Sequence, residues 1–372
     1  MVVVGEASGD LHGAQLVRSL YQRDTGLEIF GVAGERLRHE GVRVIFDVAR
    51  LSGMGLAELA GNLRTLWMAY RLVRGALRKE KPDLLILIDF PEFNLRLARL
   101  AKRIKIPVLY YISPQVWAWR KRRVKQIARW VDHIAVVFPF EVAIYEKRGM
   151  RVSFVGHPLL DVVRSHQPRQ ATLAQLGLDP SRRTVALLPG SRRREIAYHL
   201  PPMLEAADRL SEEMEVQFVL VRASTVERGE LERLLARSST QLAIAEGNAY
   251  DVLNACDLAW AASGTATLET ALMLKPMVIV YRLAWLTYAL ARLLVRIDHI
   301  GMVNIIAGQT VVPELIQNEV TPERILFETR RMLQDGELYR RIVEQLAAVR
   351  QKLGTPGAAE RVADIALGMM AG

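Results

Sequence analysis

Short, nearly continuous apolar runs alternate with longer stretches of mixed polarity along most of the chain. The runs are Val2–Val4, Ile29–Val32, Leu84–Asp89, Val108–Ile112, His133–Val137, Thr184–Leu188, Val216–Val221, Gln241–Ala245, Leu258–Ala261 and Pro276–Tyr281. A strand covered on both faces reads as an unbroken apolar run, whereas a half-exposed strand alternates. Such runs separated by helical stretches predict parallel strands in doubly wound α/β units. The units fall into two blocks. The first ends near Gly156-His157-Pro158, the polar stretch Arg164–Gln170 follows, and a new series opens at Thr184–Leu188. From Thr321 onward the pattern is helical only.

Composition narrows the class. The chain has 372 residues, enough for two domains of ordinary size, and one cysteine, Cys256, which excludes an intrachain disulfide or a cysteine zinc site. Apolar residues 2–4 are followed at once by Glu6 and Asp10 with no basic leader, so no secretory signal is expected. The first strand follows directly after Met1, and whether the start clips it is left open. The most apolar stretch, Ala284–Val295, contains Arg292 and is too short to cross a bilayer. The net charge is +10, from nine Lys and 41 Arg against 40 acids. Arginine suits phosphate and carboxylate, so nucleic acid, anionic lipid and a phosphorylated substrate are the sharper candidates beside a merely basic surface.

Ligands of such sheets sit beyond the carboxyl ends of the strands, and the distinctive segments fall there. Gly5-Glu6-Ala7-Ser8-Gly9-Asp10 follows the first strand; its glycines allow close backbone approach, and Glu6 suits hydroxyl groups better than phosphate. The plainer reading is a strand-to-helix turn with Ser8 or Asp10 as cap. Asp89 ends a buried strand, where desolvation raises a carboxyl pKa and makes a general base; Glu92 is the second acid. Tyr110–Trp119 followed by Arg120–Arg123 suits base stacking, or packing beside a solvated basic face. In Leu187–Ile196 a strand ends in Pro189-Gly190-Ser191-Arg192, where amides, a hydroxyl and a guanidinium converge as a diphosphate clamp. Ser263-Gly264-Thr265 opens the next such turn, with Glu269 one helical turn on and in reach of a ribose diol. Together the two turns describe a nucleotide-diphosphate site. No spacing of His, Cys, Asp and Glu suits a metal, and there is no GxSxG. His157, before Pro158, reads as an inter-domain hydrogen-bonding residue.

Two segments look interfacial. On a helix, Leu59, Leu63, Leu66, Tyr70, Val73 and Leu77 form one stripe, flanked by Arg64, Arg71, Arg74 and Arg78. Trp67, Met68 and Leu72 fall where a solvated face would be polar. Cations, an aromatic and surplus apolar surface together match a helix lying in a membrane interface. Tyr281–Arg296 mixes Trp285, Tyr288 and leucines with Arg282, Arg292 and Arg296. A buried domain-interface helix is the alternative for each.

The ordered set GEASGD (5–10), GVAG (31–34), IDFPEFN (88–94), YYISPQVWAWR (110–120), FPFE (138–141), FVGHPL (154–159), LLPGSRRREI (187–196), ASGTATLE (262–269) and NIIAG (304–308) resembles the lipid-A-disaccharide synthase family, over residues 1 to about 315. The resemblance implies a GT-B glycosyltransferase: two Rossmann-like doubly wound domains facing across a cleft, an acceptor-binding domain at 1–160 and a UDP-sugar domain at 161–349. A last helix, about 350–372, is expected to pack back on the first. It implies transfer of 2,3-diacylglucosamine from UDP-2,3-diacylglucosamine to 2,3-diacylglucosamine 1-phosphate, with a β-1,6 linkage, release of UDP and no cofactor. Carried over by motif, Asp89 is the essential acid, Glu6 a second acidic residue, Arg192 the donor-phosphate arginine, and Glu269 and Asn304 donor-site residues. Some members have Leu-Pro before that Asn, where this chain has Met302-Val303. The expected partners are the two sugar substrates and an anionic membrane surface, without nucleic acid. The expected location is cytoplasmic, peripheral on the inner face of the membrane. Oligomeric state is left open, a homodimer included. The rivals are a UDP-N-acetylglucosamine 2-epimerase or muramyl-type transferase, and a non-catalytic nucleic-acid or membrane binder.

Overall fold

The computed structural model describes residues 1–50, 63–114, 116–117, 123–236, 238–247, 249–285, 287–288 and 298–371. It divides into two compact units. One comprises Met1–Asp161 with Leu353–Gly372, the other Val162–Lys352.

The N-terminal unit is built on seven strands, β1 Val2–Val3, β2 Phe30–Ala33, β3 Arg43–Asp47, β4 Leu85–Ile88, β5 Val108–Tyr111, β6 His133–Val136 and β7 Arg151–Phe154. All pairings are parallel, in the order β3-β2-β1-β4-β5-β6-β7. The central strands β1, β2, β4 and β5 are wholly buried, which is why their sequences are unbroken apolar runs. The chain winds outward from β1 and then returns to β4 on the other side, so the topological switch point lies between β1 and β4. The last helix, Ala358–Ala371, belongs to this unit and packs on the helix Ala7–Arg23, where Arg23 Nε donates to Asp364 at 2.6 Å. The segment leading into it is stitched by polar bonds: the His157 amide donates to Leu353 O, and Gly357 N to Asp161 Oδ1 at 2.7 Å.

The second unit holds six parallel strands, β8 Arg183–Leu188, β9 Val216–Arg222, β10 Leu242–Glu246, β11 Leu258–Ala262, β12 Met277–Tyr281 and β13 Glu314–Ile316. Their order, β10-β9-β8-β11-β12-β13, puts its switch point between β8 and β11. Helices alone follow from Pro322.

All ten apolar runs are strands. The three strands without such a run, β3, β7 and β13, are edge strands with mostly part-exposed residues. A strand with one neighbour and one wet face has no need of a continuous apolar run, so the pattern that finds central strands misses it.

Candidate functional site

The switch point of the N-terminal unit brings together Glu6, after β1, and Asp89, after β4. Gly5 is required there, because a Cβ would lie 2.2 Å from the Phe90 ring. Asp89 and Phe90 both adopt left-handed backbone, with φ of 49° and 48°. This is uncommon for non-glycine residues, and the surroundings enforce it. The Asp89 carbonyl accepts from Tyr110 Oη at 2.6 Å and from Asn94 Nδ2 at 2.7 Å, while Phe90 stacks on Phe93. Tyr110 and Asn94 are themselves fully buried. Burial, then the negative charge of Glu6, pushes the Asp89 carboxyl up to about 6, against the pull of the Phe90 amide. A carboxyl with that pKa is able to act as a general base near neutral pH. Glu6 is exposed at the N-cap of the helix Ala7–Arg23, with no cap bond from its side chain.

Several expectations change at this site. Asp10 does not cap its own helix. Its buried carboxylate accepts from Gly34 N at 2.6 Å and Arg36 N at 2.9 Å, holding the start of the neighbouring helix Glu35–His39. Glu92, the second acid, is exposed on the first turn of the helix Pro91–Arg103 and pairs with Arg123. His157 bonds within its own unit: its Nδ1 accepts from Leu159 N at 3.2 Å. Tyr110 and Tyr111 are core residues, and Trp117 lies edge-on to Phe140, so these aromatics are packing and not a stacking platform. Trp119 and Arg120–Arg122 lie outside the described residues.

In the second unit the switch point gathers the turns after β8 and β11. Gly190 has φ of 124°, and a Cβ there would meet Glu195 Oε2 at 2.6 Å. Glu195, at the third position of the helix Arg193–Glu213, accepts from the amides of Ser191 at 3.0 Å and Arg192 at 3.3 Å. This corrects the expected clamp, because a helix-capping carboxylate already takes two of its amides. What remains accessible to an anion is the Arg192 guanidinium, whose side chain is 70% exposed and whose ion pair with Glu195 Oε1 is long, at 3.5 Å. Across the switch point, Ser263 is half-buried while Gly264 and Thr265 are exposed at the start of the helix Thr265–Leu272. The space in front of Gly264 is open. Glu269 is largely buried and accepts from Tyr250 Oη at 2.9 Å; burial raises its pKa.

Asn304 is not presented to a ligand. It is fully buried; its Oδ1 accepts from the amides of Val311 and Val312, and its Nδ2 donates to Val312 O and to Glu314 Oε1. Glu314 in turn accepts from the amides of Ile300 and Gly301. Asn304 is therefore a positioning residue for the segment before β13. Asn94, Tyr250, Glu195, Glu314 and His199 were given no role from the sequence. Asn94 and Glu195 act on backbone three to six residues away, inside motifs that drew attention to other residues, whereas the partners of Tyr250, Glu314 and His199 lie 10 to 83 residues off.

The helix expected to be interfacial spans Leu63–Glu80. Val73 and Leu77 of its stripe are buried, Leu66 and Tyr70 half-buried, and the Leu63 side chain and Leu59 lie outside the described residues. Trp67, Met68 and Leu72 are 60%, 44% and 48% exposed, among exposed Arg64, Arg71 and Arg74. The Arg71 guanidinium lies 4.6 Å from the Trp67 ring centre. In the second segment Trp285 is exposed; residues 286 and 289–297 lie outside the described residues. Among the described residues no helix is long and apolar enough to cross a membrane.

Comparison with known proteins bears on this geometry. The UDP-N-acetylglucosamine 2-epimerase of Neisseria meningitidis, solved with UDP-GlcNAc, is 13% identical, with a TM-score of 0.64 over 99% of this chain and 100% of its own. The kitacinnamycin glycotransferase is 17% identical, with a TM-score of 0.66 over 99% and 98%. These likenesses show the fold, two doubly wound parallel units of GT-B type, and do not choose between epimerase and transferase. The sequence does. The family described as lipid-A-disaccharide synthetase matches residues 1–364. The lipid-A-disaccharide synthase of Geobacter sulfurreducens is 49% identical over 371 residues, covering 100% of this chain and 97% of that one. With both switch points carrying the motifs in family order, this chain belongs to the lipid-A-disaccharide synthase family of glycosyltransferases.

Proposed function

We propose that the chain transfers 2,3-diacylglucosamine from its UDP derivative to 2,3-diacylglucosamine 1-phosphate, with inversion, to give a β-1,6 disaccharide 1-phosphate and UDP. The observation that carries the reading is the chemistry that each switch point holds by itself. One holds an acid with a raised pKa, the other an exposed arginine beside hydroxyl-bearing turns.

A sugar hydroxyl is a poor nucleophile, so its proton must leave as the new bond forms. Asp89 accepts the proton of the acceptor 6-hydroxyl while that oxygen attacks the anomeric carbon. The bond from that carbon to the diphosphate breaks on the opposite face, and its electrons leave with UDP. Glu6 orients the acceptor and keeps Asp89 basic. Arg192, with Gly190, Ser191 and the Ser263–Thr265 turn, holds the diphosphate and receives its growing charge. Glu269 contacts the nucleoside, and Asn304 shapes the neighbouring segment. No cofactor is needed for this chemistry. Mass spectrometry of the product from the two acylated sugars tests the activity: the acylated disaccharide phosphate and UDP are expected, and UDP release without the disaccharide refutes it.

Acylated substrates also call for a membrane surface. Trp67, Met68 and Leu72, ringed by Arg64, Arg71 and Arg74, combine apolar insertion with attraction to anionic lipid. We propose that the protein works peripherally on the cytoplasmic face of the membrane, and the exposed patch supports the membrane part of that reading. A triple change of Trp67, Met68 and Leu72 to Ser should abolish most flotation with anionic liposomes, and salt should weaken the wild type. Flotation equal to wild type removes this surface from consideration. A homodimer remains a proposal that sedimentation at several concentrations tests.

A further inference from the structure

His199 lies in the second turn of the helix Arg193–Glu213 and is buried. Its ring touches backbone from two different turns. Nδ1 is 2.9 Å from the Pro189 carbonyl oxygen, and Nε2 is 2.9 Å from the Arg282 amide nitrogen. A carbonyl only accepts and a backbone amide only donates. Both bonds therefore exist together in a single state of the ring, neutral with its proton on Nδ1. In the sheet, β11 separates β8 from β12. The ring thus ties the turn after β8 to the segment after β12, one on each side of the strand that carries Ser263–Thr265. Gln317 completes the hold: its Oε1 accepts from Leu283 N at 2.6 Å and its Nε2 donates to Leu283 O at 3.0 Å.

The ionisable groups facing His199 are Glu195 on its own helix and Arg282 on the segment after β12. Burial, with the Arg282 charge, moves the imidazole pKa below its ordinary value, against hydrogen bonding to Pro189 and the Glu195 charge. The neutral ring is the native one at pH 7. Protonation would place an N–H against the Arg282 N–H, losing one bond and opposing two donors.

We propose that neutral His199 is a positioning residue that locks the Pro189–Arg192 turn to the segment after β12, and that its protonation loosens the turn and weakens binding of a nucleoside diphosphate. This rests on reading that turn as the donor diphosphate site. His199 itself touches neither the sugar nor the phosphates. It acts through the backbone from which Arg192 projects.

The test is calorimetric titration of the full chain with UDP between pH 5 and 8, in wild type, His199→Gln, His199→Leu and Arg192→Ala. A Gln oxygen reaches the Nε2 position and accepts from Arg282 without titrating, while ionisation of UDP is common to all four. At pH 7.5 His199→Gln should stay within about threefold of wild type and His199→Leu should bind about tenfold more weakly, the scale of one lost hydrogen bond. On acidification the wild type should lose about five- to tenfold more affinity than His199→Gln. Nitrogen-15 shifts of the ring should show the proton on Nδ1 at pH 7.5. Should His199→Leu fail to fold, the tautomer and the missing pH step in His199→Gln still decide. A proton on Nε2, or one pH dependence shared by wild type and His199→Gln, overturns the proposal. If Arg192→Ala binds UDP as wild type does, the donor reading falls and the proposal with it. If Arg192→Ala is weakened while both His199 variants follow wild type at every pH, the donor reading stands and the lock alone is wrong.

Discussion

The two switch points are built on opposite physical principles. In the N-terminal unit Asp89 sits on strained backbone, its carbonyl gripped by buried Tyr110 and Asn94 and its carboxyl partly desolvated. In the second unit the side chain proposed to meet the diphosphate, Arg192, is exposed on an open turn and loosely paired with Glu195. The difference follows from the chemistry asked of each. A base must be held away from water, or its pKa stays near that of an ordinary carboxylate and it takes a proton poorly at neutral pH. A diphosphate carries its charge in with it, so its partner needs reach and hydration until the ligand arrives. On the proposed mechanism, strain and desolvation belong to the side that moves a proton, and openness to the side that grips a leaving group.

Removing the acid should break this contrast most severely. Asp89→Asn preserves shape and the backbone grip but cannot take a proton, so kcat should fall by about 10²–10⁴-fold while UDP affinity is unchanged. If Asp89→Asn turns over normally and Glu6→Gln does not, the base is Glu6. On the other side, Arg192→Ala should lower kcat by about 10²-fold. Because Arg192 is exposed, its thermal stability should stay at the wild-type level; a large fall in Tm would mean that the arginine is structural after all.

The charge of Glu6 offers a finer probe. In wild type kcat/KM should fall about tenfold per pH unit below about 6, as Asp89 takes up its proton. Glu6 raises that pKa, so in Glu6→Gln the acid limb should move to lower pH; a limb that stays put would mean burial alone sets it.

The smallest effect concerns a buried carboxyl elsewhere in the N-terminal unit. Glu141 is fully buried, its Oε2 accepting from Phe138 N while Oε1 lacks a partner, close to Ser113, Trp117 and Tyr145. Burial pushes its carboxyl up to about 8, outweighing the Phe138 amide and then the Ser113 and Trp117 side chains. The folded state therefore prefers the protonated form. That stabilisation is complete below pH 4.5 and is lost as pH rises through about 8. Glu141→Gln, uncharged throughout, should be more stable than wild type by about 1–3 kcal/mol at pH 8, and equal to it near pH 4. Thermal melts at the two pH values check both the size and the sign.

Much of this was legible along the chain. A strand buried on both faces has no choice but to be apolar, so the central strands of both sheets announced themselves. Three of them, β1, β8 and β11, feed glycine-bearing turns that allow close backbone approach, and β4 ends directly in Asp89. Asp89, Glu6, Arg192 and Glu269 could be named from those turns without knowing which strands are neighbours. Tertiary structure decided the strand order, and with it the pairing of Glu6 with Asp89 and of the β8 turn with the β11 turn. It also reassigned the buried polar residues. Asp10 serves another helix, Asn304 a turn seven residues on, Glu195 the amides expected for phosphate, and His199 a segment 83 residues away. The physical reason is the same in each case. An apolar side chain needs only to be away from water, a demand its position in a periodic pattern expresses. A buried polar group needs one particular partner at hydrogen-bonding distance, and that partner is set only when the chain has folded.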